Sequence, residues 1–287
     1  MTNYIDLHTH SNASDGTCTP TEVVRLAAQK GLRAMALTDH DTVSGVEEAM
    51  NTASAFSLPI QVIPGTELSV AYKKQDIHIV GLFVDHRNKS FQDMTQLLIR
   101  RRLERHEEMI RRFNANGIPV TYEELTLGNP NAVITRAHFA RYLVEHQIVK
   151  IPNEAFKKYL DPGCPYFIPR EYIQPEDGIE IIRKAGGVPI LAHPLHYKLP
   201  QKELETLIAR LKDAGLMGIE VKYSNHTVQD EYYASQLASR FDLLPSGGSD
   251  FHGANKPSID MGTGRGTLAV PYEYLENLAA AVDYPLS

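Results

Sequence analysis

Tryptophan is missing from this 287-residue chain, and cysteine occurs only twice. Cys18 and Cys164 stand far apart, which excludes a disulfide-stapled scaffold and a thiolate zinc site. No uninterrupted apolar run reaches the ~18 residues that suggest a membrane span. The first residues also lack the charged-then-apolar profile of a secretory signal. Positive charge is not in excess: 35 acidic residues against 29 basic ones leave a net charge of −6. Such a chain has no overall basic field to attract long duplex nucleic acid, so any nucleotide specificity has to come from a local cluster of Arg and Lys. These absences predict a soluble, cytoplasmic protein with no membrane segment and no implied protein partner. With 43% apolar and 22% charged residues, the chain can build one large domain, or a domain with a sizeable insertion.

Histidine is what the chain has in quantity, twelve in all, several of them where strands should end. The apolar stub Ile5-Asp6-Leu7 runs into His8-Thr9-His10, with Asp15 five positions later. Residues i and i+2 of a strand face the same side, so both imidazoles can address one point. After a well-capped helix from Thr19-Pro20-Thr21-Glu22, the strand Ala34-Met35-Ala36-Leu37 ends in Thr38-Asp39-His40-Asp41. A helix over 46–56 leads to Gln61-Val62-Ile63 and Pro64-Gly65-Thr66-Glu67, and then to the strand Ile77-His78-Ile79-Val80-Gly81-Leu82-Phe83. The stretch between Ile63 and Ile77 is too short for a crossover helix, so the alternation of strand and helix falters there.

The alternation resumes with a helix over 176–185 and the strand Val188-Pro189-Ile190-Leu191-Ala192 before His193-Pro194. Helices over 202–214 and 229–240 flank the strand Gly218-Ile219-Glu220-Val221, and Leu243-Leu244-Pro245 leads into Gly247-Gly248-Ser249-Asp250-Phe251-His252-Gly253. About seven short strands alternating with helices predict a parallel α/β architecture. A closed or nearly closed barrel fits better than an open sheet, because candidate ligands come from strands spread over the whole chain. Three helices, over 91–116, 135–146 and 153–160, replace the strands between 91 and 167 and predict a helical insertion over one barrel face. The expected division is a barrel of 1–90 and 168–287 with an insertion of 91–167.

Active sites of such barrels form at the carboxyl ends of the strands. Those ends supply His8, His10, Asp15, His40, Glu67, His78, His193, Asp250 and His252. Each motif alone has a plainer reading. Thr38-Asp39-His40-Asp41 can be a polar turn, and His193 can be fixed in a turn before Pro194. Six imidazoles and three carboxylates from separate strand ends are harder to dismiss, and they predict a metal centre. A donor set without sulfur, mixing imidazole and carboxylate, admits manganese, iron or zinc.

The blocks Ile5-Asp6-Leu7-His8-Thr9-His10-Ser11, Ser14-Asp15-Gly16, Leu37-Thr38-Asp39-His40-Asp41, Pro64-Gly65-Thr66-Glu67, Ala192-His193-Pro194 and Gly248-Ser249-Asp250-Phe251-His252 resemble, in order, the signature blocks of the PHP (polymerase and histidinol phosphatase) superfamily. The resemblance spans most of the chain outside the helical segment. It implies a distorted seven-stranded, TIM-like (β/α)7 barrel with three divalent metal ions, manganese by preference. Carried over by position, His8, His10, Glu67 and Asp250 resemble ligands of the first ion. Asp15, His40 and His252 resemble those of the second, and a bridging Glu67 with His78 and His193 those of the third. His40 and His252 would also lie beside the substrate phosphate. Three divalent ions, offset by three carboxylates and a hydroxide, leave positive charge that suits a phosphate dianion. Clustered cations also bring the pKa of water from 15.7 down towards about 7, so the expected chemistry is phosphoester hydrolysis.

Arg102 and Arg105 are one turn apart in the long helix, and Arg136 opens the next helix, whose N-terminus favours anions. Arg100, Arg101, Arg111 and Arg112 read as a solvated helix face. Arg102, Arg105 and Arg136 resemble the second-phosphate clamp of one PHP branch, the nucleoside 3′,5′-bisphosphate phosphatases, whose members also act as 5′→3′ exonucleases on short RNA. The expected substrate is thus a bisphosphate such as pAp, or a short oligoribonucleotide. A histidinol-phosphate phosphatase is the nearest enzymatic alternative, but a small monophosphate needs no remote clamp. A metal-stabilised regulatory module without turnover is the alternative outside enzymology, opposed by the complete ligand set. The acid that protonates the leaving group is unassigned; His226, in Tyr223-Ser224-Asn225-His226, is a candidate that can equally be a plain loop histidine.

Overall fold

The computed structural model describes residues 4–73, 75–128, 132–169 and 173–286. Its strands are β1 (Tyr4–Thr9), β2 (Ala34–Leu37), β3 (Gln61–Tyr72), β4 (Gln75–Leu82), β5 (Val188–Leu191), β6 (Gly218–Tyr223), β7 (Leu244–Gly248) and β8 (Val270–Pro271). They form one sheet in the order β7-β6-β5-β4-β3-β2-β1-β8, so chain neighbours are almost always sheet neighbours. Just past β7 the backbone turns back onto β1: Asp250 N–H donates to His8 O at 2.8 Å and His10 N–H to Phe251 O at 2.9 Å. These bonds bring the two ends of the sheet together into a nearly closed barrel. Gly248 makes the approach possible, because a Cβ there would lie 2.4 Å from the His8 backbone nitrogen.

Two features differ from the expected seven-stranded alternation. An eighth strand, β8, pairs antiparallel with β1 through only two residue pairs, too few to leave a periodic signal in the sequence. The second is an antiparallel hairpin of β3 and β4, with β4 also antiparallel to β5, while the β1–β2–β3 and β5–β6–β7 pairs are parallel. A parallel connection needs a dozen or more residues, and the two residues between β3 and β4 permit only a hairpin. β3 is therefore continuous through Pro64 and Glu67, which pair as strand residues.

Helices α1 (Pro20–Gln29) and α2 (Val46–Ala55) cover the first strands. The Thr19 hydroxyl caps α1 while Glu22 reaches back to the Thr19 N–H, the reciprocal box expected from the sequence. Between β4 and β5 lie α3 (Lys89–Ala115), α4 (Tyr122–Thr126), α5 (Arg136–Glu145), α6 (Pro152–Ala155) and α7 (Pro175–Lys184), with a π-helical turn over Phe156–Leu160 following α6. The single helix expected over 153–160 is thus a short α-helix widened into a π turn. Phe113, Phe139, Tyr142, Leu143 and Leu160 build an apolar cluster within this segment, separate from those of the barrel. α8 (Gln201–Asp213), α9 (Val228–Arg240) and α10 (Tyr272–Ala280) complete the outer layer. Burying the apolar faces of α7, α8 and α9 against Leu68, Ile79, Leu191 and Ile219 closes the larger barrel cluster. No described helix is long and apolar enough to cross a membrane.

Candidate metal and phosphate site

The nine side chains picked out at strand ends meet at one end of the barrel. His10, Asp15, His40 and His252 form one group, His8, His10 and Glu67 a second, and His40, Glu67 and His78 a third, with donor atoms within 4.8 Å of one another in each. His8 Nε2 and His10 Nε2 are 3.1 Å apart, each 3.3 Å from Glu67 Oε2, and 3.8 and 3.5 Å from Asp250 Oδ1. Donors about 2.0–2.2 Å from a shared ion sit roughly 3–3.6 Å apart, so these four atoms have close to the spacing of a coordination shell. His252 Nε2 lies 3.1 Å from Asp15 Oδ1 and His40 Nε2 3.8 Å from Asp15 Oδ2. On the other side of Glu67, its Oε1 is 2.8 Å from His78 Nδ1 and 3.0 Å from His193 Nε2. Glu67 faces both groups, one oxygen towards each.

The cluster is charged and, apart from half-buried His78, buried. Burial alone would push Asp15, Glu67 and Asp250 towards the neutral form, yet surrounding imidazoles, joined at Asp250 by the Lys256 ammonium, hold all three well below the usual carboxylate range. Burial works against a proton on His78, but Glu67 and Asp76 outweigh it and raise that imidazole to about 10. His40 and His10 go the opposite way, pushed down first by burial, His40 to about 4. Three buried carboxylates need cationic partners, and a set of hard oxygens with borderline nitrogens and no thiolate fits divalent cations. The residues present therefore fit a metal centre.

Outer contacts fix how these donors point. Glu220 Oε1 holds His8 Nδ1 at 2.7 Å, which turns Nε2 into the cluster, and Glu220 Oε2 accepts from the His193 N–H at 2.6 Å. The Asp250 carboxylate takes the Tyr223 hydroxyl at 2.8 Å and Lys256 Nζ at 2.7 Å on Oδ2, leaving Oδ1 towards His8 and His10. Asp6 accepts from Ser249 and Gly262, tying the β7 exit to β1, and Asp39 accepts from the Ser11 and Ser14 hydroxyls under the His10 loop. Asp41, His193 and Asp250 all have positive φ, of 56°, 29° and 58°. Such backbone is costly for residues with a Cβ, so these three site residues are held in shape by their surroundings.

Arg102, Arg105 and Arg136 line a cavity of about 260 Å³ whose opposite wall includes His40, His78 and His252. Arg102 is buried, its Nε 3.0 Å from Asp41 Oδ2, with Nη2 on the same oxygen and on Ser69 Oγ. Arg105 donates from Nε to Ile168 O at 2.7 Å and sets Nη1 beside His106 Nε2. Arg136, a quarter exposed, has Nη2 3.7 Å from Asp76 Oδ2. His226 lies apart: its Nδ1 donates to Val221 O at 2.9 Å, and it lines neither cavity that touches the cluster.

Sequence reasoning missed Glu220, Lys256, Asp41 and His196. Glu220 alternates with Ile219 and Val221 in β6, and an acidic residue inside an apolar strand was the available signal. His196 sits in the short 3-10 helix Pro194–Tyr197 after β5 and Lys256 just past the 3-10 turn Gly253–Asn255, where spacing carries no information.

A PHP domain model matches residues 6–172. The chain belongs to the PHP domain family. Among its PHP relatives, a 3′,5′-nucleoside bisphosphate phosphatase of Chromobacterium violaceum is 37% identical, covering 90% of this chain and 90% of that protein. A 5′-3′ exoribonuclease of Haemophilus influenzae is 38% identical over 88% of this chain and 91% of its own length. A crystal structure from Bifidobacterium adolescentis, assigned as a metal-dependent phosphoesterase, superposes with a TM-score of 0.83 at 26% identity, covering 96% of this chain and 95% of that one. Those neighbours and the buried His, Asp and Glu cluster agree that this PHP barrel is a metal-dependent phosphoesterase.

Proposed function

We propose that this PHP enzyme removes the 3′-phosphate of nucleoside 3′,5′-bisphosphates such as pAp and, by the same chemistry, trims 5′-phosphorylated short RNA from its 5′ end. The observation that carries the reading is the single cavity in which three arginines face the imidazole and carboxylate cluster. A guanidinium holds phosphate in fixed orientation, so Arg102, Arg105 and Arg136 bind the 5′-phosphate while His40 and His252 flank the phosphate being removed. Asp41 holds Arg102 in place and offsets part of its charge, and Asp76 does so at longer range for Arg136. The relatives named for bisphosphate and RNA hydrolysis support this choice over a small monophosphate.

The residues fit three divalent ions: His8, His10, Glu67 and Asp250 for one, Asp15, His40 and His252 for a second, Glu67, His78 and His193 for a third. Manganese is the proposed metal, with iron or zinc admitted by the same donors. When bound, the ions supply ionised water near neutral pH and positive charge for the phosphoryl oxygens. We assign residues 1–90 and 168–287 to the catalytic barrel and 91–167 to a helical insertion that brings the arginines to it. A cytoplasmic location suits two free thiols.

Turnover of pAp, 3′-AMP, 5′-AMP and histidinol phosphate with added manganese tests the reading. Wild type should favour pAp, and Arg136→Ala should lower kcat/KM for pAp by roughly ten- to a hundredfold while 3′-AMP changes little. Equal rates on pAp and 3′-AMP, unaffected by Arg136→Ala, would remove the clamp; preference for histidinol phosphate would replace the substrate.

A further inference from the structure

A second cavity of about 410 Å³ borders the cluster at Glu67, His193 and Asp250, and its lining includes none of Arg102, Arg105 and Arg136. It shares His40, His78, His196 and Lys256 with the arginine cavity, so the two spaces meet across the same reacting centre. Its far wall carries Asn225, Asn255, Ser258, Ile259 and Arg265. Arg265 Nε donates to Asn225 Oδ1 at 2.6 Å, which joins the β6 exit to the loop before β8. Asn225 and Arg265 are exposed and Ile259 is buried, so the wall grades from an apolar floor to a cationic mouth open to solvent.

A nucleoside bisphosphate has no third phosphate to bring to Arg265. Its 5′-phosphate belongs on the arginine side and its 3′-phosphate at the cluster, so its phosphate chain ends there. An RNA chain does not end there. In its hydrolysis a water oxygen bonds to phosphorus, the bond from phosphorus to the 3′-oxygen of the first nucleotide breaks, and that oxygen takes a proton. The phosphate stays on the 5′-oxygen of the next nucleotide, which extends away from the first.

We infer that the Asn225–Arg265 cavity is the subsite for the nucleotide downstream of the scissile phosphate. Its Arg265 guanidinium meets the following phosphate, and its amides and the Ile259 floor meet the ribose and base. The volume lies in the range of small-ligand pockets. The exposed mouth lets the rest of the strand run into solvent, and with Asn225 Oδ1 taken by Arg265 and Asn255 Nδ2 by Asp15 O, neither amide presents the paired donor and acceptor that reads a base edge. The subsite therefore selects for chain length rather than sequence. This rests on the proposed assignment of the arginine cavity to the 5′-phosphate.

The test compares kcat/KM for pAp and for the 5′-phosphorylated tetranucleotide pApApApA, in wild type, Arg265→Ala and Asn225→Ala, with manganese present. Both substitutions are at exposed positions, and circular dichroism checks the fold. The expected result is a fall of about tenfold in the ratio of tetranucleotide to pAp efficiency for Arg265→Ala, the worth of one lost charge-assisted contact. A smaller fall is expected for Asn225→Ala. An unchanged ratio in both variants, whether both substrates slow equally or neither slows, overturns the subsite. Wild-type inactivity on pAp with retained tetranucleotide cleavage would instead overturn the bisphosphate reading. The dinucleotide pApA then replaces pAp as the short substrate, and a tetranucleotide preference that Arg265→Ala leaves intact still overturns the subsite.

Discussion

Glu220 touches no reacting group, yet it decides where two imidazoles of the cluster sit. One oxygen accepts from His8 Nδ1 and the other from the His193 backbone N–H. The carboxylate has acceptors on both sides; an amide has one. Glu220→Gln therefore sets an N–H₂ group against one of two N–H donors and lets His8 or His193 swing. Such outer partners typically contribute ten- to a hundredfold in metal affinity. The variant should bind manganese that much more weakly in a calorimetric titration while its far-ultraviolet circular dichroism is unchanged; wild-type affinity would deny Glu220 its role. At this scale the sequence was informative about identity and silent about direction. HxH and the Asp250-Phe251-His252 triplet announced candidate ligands by type, but the oxygen of Asp250 that faces the cluster is selected by Tyr223 and Lys256, residues distant from one another in the chain.

Helix α5 shows how an element serves the site beyond its own stability. Thr135 caps it by accepting from the Ala137 N–H and donates its hydroxyl to Asp15 Oδ2 at 2.8 Å, while His138 Nδ1 accepts from the Thr135 N–H at 3.0 Å. The helical segment is thereby pinned to the loop after β1. Burial, only partly offset by Asp15, lowers His138 to about 4. A neutral imidazole in the folded protein and an ordinary one near 6.5 in the unfolded chain make stability fully present above about pH 6.5 and progressively lost as pH falls towards 4. The loss is on the order of 3 kcal/mol. Gln can keep the reciprocal cap without titrating, so urea unfolding of His138→Gln should show a correspondingly shallower decline over that window than wild type. An identical pH dependence would show that His138 is not the group responsible. The capped start of α1 at Thr19-Pro20-Thr21-Glu22 was legible, because helix ends are written in local side chains. The β3–β4 hairpin was legible only as a connection too short for a helix, and the π turn after α6 left no sign, since propensity does not distinguish it from an ordinary turn.

The barrel as a whole depends on its seam. Around Gly248 the β7 backbone runs against β1 so closely that a methyl group would meet His8 N at 2.4 Å and His8 Cβ at the same distance. Gly248→Ala must push the two strands apart, and the seam is where Asp250 hydrogen-bonds to His8. Overpacking of this kind costs roughly 1–3 kcal/mol, read as a lower urea midpoint. Because the strain falls on the backbone of the proposed ligands His8 and Asp250, manganese affinity should fall as well. Loss of stability with intact metal binding would show that the cluster tolerates an open seam. The same seam explains why β8 escaped notice: two residues beside β1 are placed by contacts made once the barrel exists.

The chain alone determined which residue types end its strands, where its helices begin, and that six imidazoles and three carboxylates recur at those ends. All of that is encoded within a few neighbours, where periodicity and capping operate. Tertiary structure alone decided that Glu67 faces two donor groups at once, that Asp41 takes up Arg102, and that a second cavity runs past Lys256 to Arg265. Those outcomes depend on the curl of the sheet and the closure of its seam, which bring residues two hundred positions apart within a hydrogen bond, a distance no local pattern encodes.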